Sequence, residues 1–218
     1  MPRRFLWVLG LILPILLGCP CVTLAQNLKA MQLGAPQTDG GRPLMQVLKE
    51  RRSSRAFGPE MLSGQVLSNL LWAAFGVNRP DSGGRTAPSA SNSQEMDIYV
   101  AMADSLHLYD ATAHVLKPIL AEDLRALTGR QAFVKDAPVN LIYVADLSKM
   151  TRAAPEDREF FAASHTGFIS QNVYLFCASE GLATVVRASI DRSALAKAMG
   201  LRREQKITLA QSVGYPKR

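Results

Sequence analysis

The sequence has few cysteines and histidines, which limits the chemistry available to it. Of the three cysteines among 218 residues, Cys19 and Cys21 lie near the N-terminus and Cys177 alone lies in the body of the chain. A single cysteine cannot build an internal disulfide framework. The three histidines, at positions 107, 114 and 165, are scattered, and neither a CxxC nor an HExxH motif occurs. We therefore expect no structural or catalytic metal site.

The sequence also lacks a hydrophobic run of membrane-spanning length. The apolar segment 5–17 follows Arg3 and Arg4 and is shorter than the roughly 20 residues that a spanning helix needs. Basic residues, a short apolar run and then small residues are typical of a secretory signal. We predict a signal peptide over residues 1–25 and export to the periplasm or cell envelope. Two ways of processing the signal are possible: cleavage after Ala25, or acylation of Cys19 in a lipoprotein-like box. The third possibility is that the segment stays as an uncleaved anchor and the domain is cytoplasmic.

A basic stripe with interleaved aromatic residues is absent as well. The formal net charge is +7, and loss of Arg3 and Arg4 with the signal leaves +5. The remaining basic residues are spread among acidic ones, apart from a cluster over residues 49–55. Binding to nucleic acid is therefore not expected.

Beyond the signal, the chain divides into a lead-in and one domain. Residues 26–42 are rich in Gly, Pro and Gln without apolar periodicity and predict an extended lead-in. Residues 43–218 are long enough for one domain with a substantial core. Periodicity and capping residues predict helices starting at Pro43, Ser63 and Asp191, a long loop over 77–94, and these further elements: strands at 96–103, 137–145, 183–187 and 206–213, a hairpin over 106–116, a short helix at 122–128, and a helix over 155–181 that is apolar on more than one face.

A run of arginines and serines follows the first predicted helix. It reads Arg51-Arg52-Ser53-Ser54-Arg55. Planar guanidinium groups beside a hydroxyl suit a phosphate group. Exposed arginines more commonly form a solvated surface, so these residues alone leave both interpretations open.

A second segment is small and polar. It runs Pro88-Ser89-Ala90, with Asn92 and Gln94 following at alternate positions. The order of the two segments, with a helix between them, resembles the FMN-dependent nitroreductase family. The arginine run looks like the phosphate and ribityl grip of that family, and the second segment is similar to its Pro-Ser-Ser-x-Asn-x-Gln signature. The resemblance covers nearly all of residues 43–216.

This resemblance implies an α+β fold with a central mixed or antiparallel sheet, flanking helices, a long buried helix and an interlocked homodimer. It also implies FMN bound at the dimer interface and hydride transfer by the flavin, without a nucleophilic side chain. One chain would grip the flavin phosphate through Arg51, Arg52, Ser53 and Arg55. The partner chain would line the ring through these residues: Pro88, Ser89, Ala90, Asn92 and Gln94.

Two further regions carry candidate contacts. Residues 181–189 match the family's Gly-Leu-x-x turn into a strand beside the flavin, so the backbone at Ala188 and Ser189 would face the reactive N5. This position departs from family members that have Glu-Gly, which puts a carboxylate role in doubt. Arg187 would point at the flavin or a substrate anion, or form an ordinary salt bridge. Lys217 and Arg218 are candidates for the phosphate.

The hairpin and the long loop before it look nearer to one branch of the superfamily, the azoline dehydrogenases of peptide-toxin maturation. A surface structural role for the hairpin is the alternative. The resemblance implies an exported FMN-dependent oxidoreductase that acts on a small organic substrate. The rival interpretation is a non-catalytic module that binds flavin or another ligand on the same dimeric scaffold.

Overall fold

A computed structural model of the chain describes residues 29–218. The predicted signal peptide, with its candidate cleavage and acylation positions, lies outside the described residues. Within residues 29–218, no helix combines the length and apolar character that crossing a membrane requires.

The α-helices begin and end close to their predicted positions. The Ser63 hydroxyl accepts a backbone N–H in the first turn of its helix at 3.2 Å, and the Asp191 carboxylate does the same at 3.0 Å. Two helices end at Gly181 and Gly200, whose φ values of 70° and 66° are left-handed. The helices of the described chain are α1 (Leu44–Glu50), α2 (Gly64–Phe75), α3 (Arg158–Glu180) and α4 (Arg192–Met199).

Seven of the strands in residues 29–218 form one sheet in the order β1-β6-β5-β4-β7-β9-β8. Every neighbouring pair is antiparallel, which decides between the mixed and antiparallel sheets that the resemblance implies. The strands are β1 (Met31–Gln32), β2 (Val77–Arg79), β3 (Gly84–Arg85), β4 (Met96–Ala101), β5 (Leu106–Asp110), β6 (Val115–Leu120), β7 (Val139–Asp146), β8 (Ala183–Arg187) and β9 (Gln205–Gly214).

Helices cover both faces of this sheet. Side chains alternate between the two faces along β7. Leu141 and Tyr143 therefore pack in the larger core with residues of α2 and α3, whereas Ile142 and Val144 pack in a smaller core with residues of α4. Every residue of β7 is buried, so the predicted central strand is confirmed, and the α+β architecture with it.

Two local predictions are wrong. The predicted loop over 77–94 contains a small antiparallel hairpin of β2 and β3 and a 3₁₀ turn at Ala90–Asn92. The predicted helix at 122–128 is only a 3₁₀ turn at Arg125–Thr128. The Asp123 carboxylate accepts the backbone N–H of Arg125 at 3.0 Å at the start of this turn. The extended lead-in also contributes to the sheet, since β1 pairs with β6.

The long helix α3 is buried on one face only within a single chain. Ala162, Ile169 and Val173 pack in the core. On the opposite side, Phe160 and Phe168 are 70% and 47% exposed. The predicted long buried helix is therefore buried on one face in a single chain.

Candidate functional site

The arginine segment, residues 51–55, lies against the edge of the sheet. The backbone leaves α1 at Arg51, whose φ and ψ of −53° and 122° are no longer helical. The Ser54 N–H donates to the carbonyl oxygen of Thr184 in β8 at 2.9 Å. Because β8 is the last strand of the sheet, this bond covers part of an otherwise unpaired edge and fixes where the segment lies.

A cleft of about 470 Å³ opens beside the arginine segment. Glu50, which lines it, is paired with Arg42, and this pair lowers the pKa of Glu50. Within residues 29–218, no carboxylate lies within ion-pair distance of Arg51, Arg52 or Arg55. The segment therefore presents uncompensated positive charge, which favours an anionic ligand. The charged residues that line the cleft are Arg42, Lys49, Glu50, Arg51 and Arg52.

Tyr174 of α3 supports the arginine segment. The Arg51 guanidinium carbon lies 5.2 Å from the centre of the Tyr174 ring, which is a cation–π distance. The Tyr174 hydroxyl accepts the Val186 N–H at 2.9 Å and lies 2.8 Å from the Ser53 hydroxyl. Tyr174 thus joins α3, β8 and the segment. Sequence reasoning missed it, although a tyrosine in a helix rich in phenylalanine is a usable signal, because a buried hydroxyl needs a partner.

Residues near the C-terminus lie beside the same segment. The Lys217 N–H donates to the carbonyl oxygen of Ala56 at 3.2 Å, and the Gly58 N–H donates to that of Tyr215 at 2.9 Å. Lys217 and the following Arg218 are exposed. The backbone bond to Ala56 places Lys217 next to the arginine segment and adds positive charge there.

The Pro-Ser segment, residues 88–94, is a tight turn. The Asn92 N–H donates to the Ser89 carbonyl oxygen and the Gln94 N–H to the Ser89 hydroxyl, both at 3.0 Å. Ser91, Asn92 and Gln94 have φ values of 51°, 53° and 45°. Left-handed backbone costs a residue other than glycine roughly 1–2 kcal/mol. Three such residues among four persist only because the surrounding bonds impose the shape, and such strain is concentrated at binding sites.

Gln94 holds this shape from inside the segment. Its amide nitrogen donates to the Gly83 carbonyl oxygen at 3.0 Å and to the Asn92 side-chain oxygen at 2.9 Å. Its amide oxygen accepts from Arg85 at 2.9 Å. Both side-chain polar atoms of Gln94 are therefore used internally. By contrast, Asn92 is exposed, and its side-chain nitrogen has no partner among residues 29–218.

The two segments contact α3 at well-separated positions. His165 accepts the Ala90 N–H at 2.9 Å, whereas Tyr174 contacts the arginine segment. These two side chains are nine positions apart on α3, which corresponds to roughly 13 Å along the helix and about half a turn around it. Ala90 and Asn92 line a separate cleft of about 570 Å³. In the described chain, the two clefts share no lining residue.

Arg187 lies in the core of the single chain. Its guanidinium donates to Thr128, to Asn140 and to Ser212. Burial lowers the Arg187 pKa to about 10, so the side chain stays charged at neutral pH. No carboxylate of residues 29–218 pairs with it, so the salt-bridge expectation is wrong. In the single chain Arg187 is 5% exposed and joins β8 to β7 and β9 through Asn140 and Ser212, and its contact with flavin or substrate stays a prediction.

Ala188 and Ser189 form an exposed turn directly after β8. The Ser189 carbonyl oxygen accepts the Arg130 N–H at 3.0 Å, and the Ala188 carbonyl oxygen accepts the Ile190 N–H at 2.9 Å. The turn is therefore held through its carbonyl oxygens while its surface stays open to a ligand.

The seven-stranded antiparallel sheet, the long helix α3 and the flanking helices define the chain as an α+β protein. Residues 48–215 match the Nitroreductase family. This match covers more than half of the chain, so the chain belongs to the nitroreductase family and is an oxidoreductase of that family. A protein of Methanocaldococcus jannaschii that is named as a nitroreductase, MJ1384, is 33% identical over 152 residues, which are 65% of this chain and 76% of that protein.

Solved structures extend the likeness. A crystal structure from Ralstonia eutropha, also named as a nitroreductase, is 42% identical, has a TM-score of 0.83 and covers 87% of this chain and 90% of that chain. A nitroreductase from Desulfovibrio desulfuricans in complex with FMN is 22% identical with a TM-score of 0.59, covering 82% and 89%. The Escherichia coli microcin synthetase complex McbBCD is 19% identical with a TM-score of 0.67, covering 92% and 84%. The last two likenesses concern the fold alone.

The residues present fit a phosphorylated flavin. Among residues 29–218, no carboxylate pairs with Arg51, Arg52 or Arg55, which leaves their charge available to a phosphate. Ala90 and Ser91 have small side chains, and this lets backbone approach a flat ring. The exposed Asn92 amide offers a donor for a polar ring edge.

Proposed function

We propose that the protein is an exported FMN-dependent oxidoreductase that passes hydride or electrons through bound FMN to or from a small organic substrate. Membership of the nitroreductase family supports the reaction class. The observation that carries the proposal is the arginine segment, whose three guanidinium groups have no acidic partner in the described chain. Two of these residues, Arg51 and Arg52, line a cleft.

We further propose that two copies of the chain complete each FMN site. The separation of the two segments along α3 supports this, because a single chain offers them no shared cleft. Large apolar side chains exposed on α1, near α2 and on α3 supply surface that a partner would cover. These residues are Leu44, Met45, Leu48, Met61, Phe160 and Phe168.

In this arrangement the protein's own groups bind and orient. Arg52 and Arg55, with Lys217 and Arg218, would neutralise the phosphate, and Ser53 would donate a hydrogen bond. The Pro-Ser segment of the partner would fix the ring position and exclude water from one ring face, and the turn at Ala188 would lie at the reactive edge. Bound FMN would supply the hydride chemistry. No side chain is required as a nucleophile.

The substrate divides this proposal into two versions. In the first, the protein reduces quinone-like or nitroaromatic acceptors. In the second, it oxidises a substrate as azoline dehydrogenases do, and the fold likeness to the microcin synthetase complex supports this version. The hairpin of β5 and β6, with Tyr109 on it, would then be the element that distinguishes the branch.

We propose export because residues 1–25 have the pattern of a signal peptide. An exported enzyme would need an electron donor that is present outside the cytoplasm. Nicotinamide cofactors are kept inside the cell, so a donor in the envelope would replace them. Mass spectrometry of the native N-terminus tests the export proposal. A mature chain beginning at Gln26, or an acylated Cys19, supports export, whereas an intact residue 1–25 segment counts against it.

The cofactor and reaction are tested with purified protein and added FMN. We expect one FMN per chain, a yellow complex, and, after reduction with dithionite, faster reoxidation by quinones or nitro compounds than by oxygen. Protein that stays colourless with excess FMN would refute the cofactor assignment.

A second candidate function is a non-catalytic module that holds flavin or another ligand. The Ala188-Ser189 pair favours it, because it stands where some family members carry Glu-Gly. The same stopped-flow measurement separates the two functions. Bound flavin that no acceptor reoxidises faster than oxygen would support the binding module.

A further inference from the structure

A buried acid and a buried histidine lie directly beneath the Pro-Ser segment. Glu95, the residue before β4, is 0% exposed, and His165 of α3 is 3% exposed. The His165 Nδ1 atom and a Glu95 carboxylate oxygen are 2.6 Å apart. Within residues 29–218, no lysine or arginine pairs with Glu95. A carboxylate buried without a lysine or arginine is costly unless hydrogen bonds satisfy its oxygens, so the bonds that Glu95 makes are central to its role.

The hydrogen bonds fix which nitrogen of His165 carries the proton. The Nε2 atom accepts the Ala90 N–H at 2.9 Å, so Nε2 must present its lone pair. A neutral imidazole has one N–H, and it is therefore at Nδ1 and donates to Glu95. Glu95 thus holds His165 in the tautomer that can accept from Ala90.

Glu95 also reaches the Pro-Ser segment directly. Its second carboxylate oxygen accepts from the Ser93 hydroxyl at 2.7 Å. His165 and Glu95 therefore hold the Pro-Ser segment by hydrogen bonds at Ala90 and at Ser93, respectively. Between these two points lie Ser91 and Asn92, both with left-handed backbone.

We propose that His165 and Glu95 are positioning residues that hold the Pro-Ser segment in the shape that receives the flavin ring. They are not catalytic groups, because both are buried and His165 lies among the aromatic rings of Phe161 and Phe168, at 6.1 and 6.2 Å between ring centres. The identity of the ligand as a flavin rests on the proposed function. The hydrogen bonds by which His165 and Glu95 hold the Pro-Ser segment do not depend on it.

Two substitutions of His165 separate positioning from simple packing. In His165→Gln the side-chain oxygen can occupy the place of Nε2 and accept from Ala90. In His165→Asn the amide can occupy the place of Nδ1 and donate to Glu95, but it is too short to reach Ala90. Asparagine and glutamine are both neutral amides and differ only in length. Each variant is therefore the matched control for the other.

The first readout is hydrogen exchange of the Ala90 amide, followed by NMR in protein without flavin. We expect protection in the wild type and in His165→Gln, and exchange about tenfold faster in His165→Asn, since loss of one hydrogen bond corresponds to about that factor. Equal exchange in His165→Gln and His165→Asn would overturn the proposal, whether or not FMN binds.

The second readout is FMN affinity by fluorescence titration. We expect about tenfold weaker binding by His165→Asn, and binding by His165→Gln close to that of the wild type. If His165→Asn does not fold, Ser93→Ala removes the other grip and should weaken FMN binding severalfold. Unchanged affinity in the folded variants would refute the role in flavin binding. Failure of the wild type to bind FMN would instead refute the proposed function, and the Ala90 exchange result would still decide how the segment is held.

Discussion

The arginine segment and the Pro-Ser segment, which we propose bind different parts of one ligand, are built in opposite ways. The first is exposed, makes few side-chain bonds and keeps Arg52 and Arg55 without acidic partners in the described chain. The second is held by hydrogen bonds of the Ser89 and Gln94 side chains and contains three residues with left-handed backbone. Charge suffices for a phosphate, which can be approached from many directions. A flat ring demands a fixed surface, and the internal bonds provide one.

The strongest test of this contrast reverses a charge in the arginine segment. We expect Arg52→Glu to weaken FMN binding by about 100-fold, because a charge-assisted contact becomes a repulsion. Riboflavin, which lacks the phosphate, should bind the variant about as well as it binds the wild type. The control is Arg203→Glu, the same charge change at an exposed residue two positions before β9, whose opposite end lies beside the arginine segment. Equal losses for FMN and riboflavin, measured by fluorescence titration, would show that the segment does not hold the phosphate.

The next largest effect should come from the backbone of the Pro-Ser segment. Ser91→Val places a β-branched residue at a φ of 51° and should weaken FMN and riboflavin alike, by about tenfold. Ser82→Val, at an exposed position that does not have positive φ, is the control. If Ser91→Val weakened FMN while sparing riboflavin, the proposed division between shape and charge would be wrong.

A smaller effect is expected at Tyr174. Tyr174→Phe keeps the ring beneath Arg51 but removes the hydroxyl that joins Ser53 to Val186. We expect about fivefold weaker FMN binding from the loss of that bridge. Thermal unfolding monitored by circular dichroism should show a folded protein with a slightly lower Tm. Unchanged FMN affinity would mean that Tyr174 supports the fold alone.

The smallest expected effect is the salt dependence of FMN binding, which needs no substitution. Raising the salt concentration from low to physiological levels screens exposed charges over a distance of about 8–10 Å. FMN should therefore bind a few-fold more weakly at higher salt, while riboflavin should hardly respond. If the affinities for FMN and riboflavin fell equally with salt, the arginine segment would not be the part of the protein that binds the phosphate.

The sequence predicts much of this structure because many of its signals are local. Ser63, Asp191 and Gly200 mark helix ends through bonds and backbone angles within a few residues. The apolar pattern identifies β7 as the central strand for a similar reason. Tyr174 and His165 carry no such local signal for their contacts, because each meets a segment at least 70 positions away in the chain.

Arg187 shows the limit of reasoning from position along a strand. Its place just before the Ala188 turn suggested a ligand contact or a salt bridge. In the single chain the side chain donates to Asn140 and Ser212, which belong to β7 and β9. Only the strand order reveals that these hydroxyl and amide groups lie within its reach.

We propose that the arginine segment of one chain and the Pro-Ser segment of another complete one FMN site. Mixed dimers show whether the site is shared in this way. As pure homodimers, Arg52→Glu and Ala90→Phe, which would fill the second cleft, should each leave the sites empty at an FMN concentration that just saturates the wild type. Mixing them in equal amounts under subunit exchange should restore binding at about a quarter of all sites, since each mixed dimer regains one intact site. Mixtures that bind no more FMN than the separate variants would contradict the shared site.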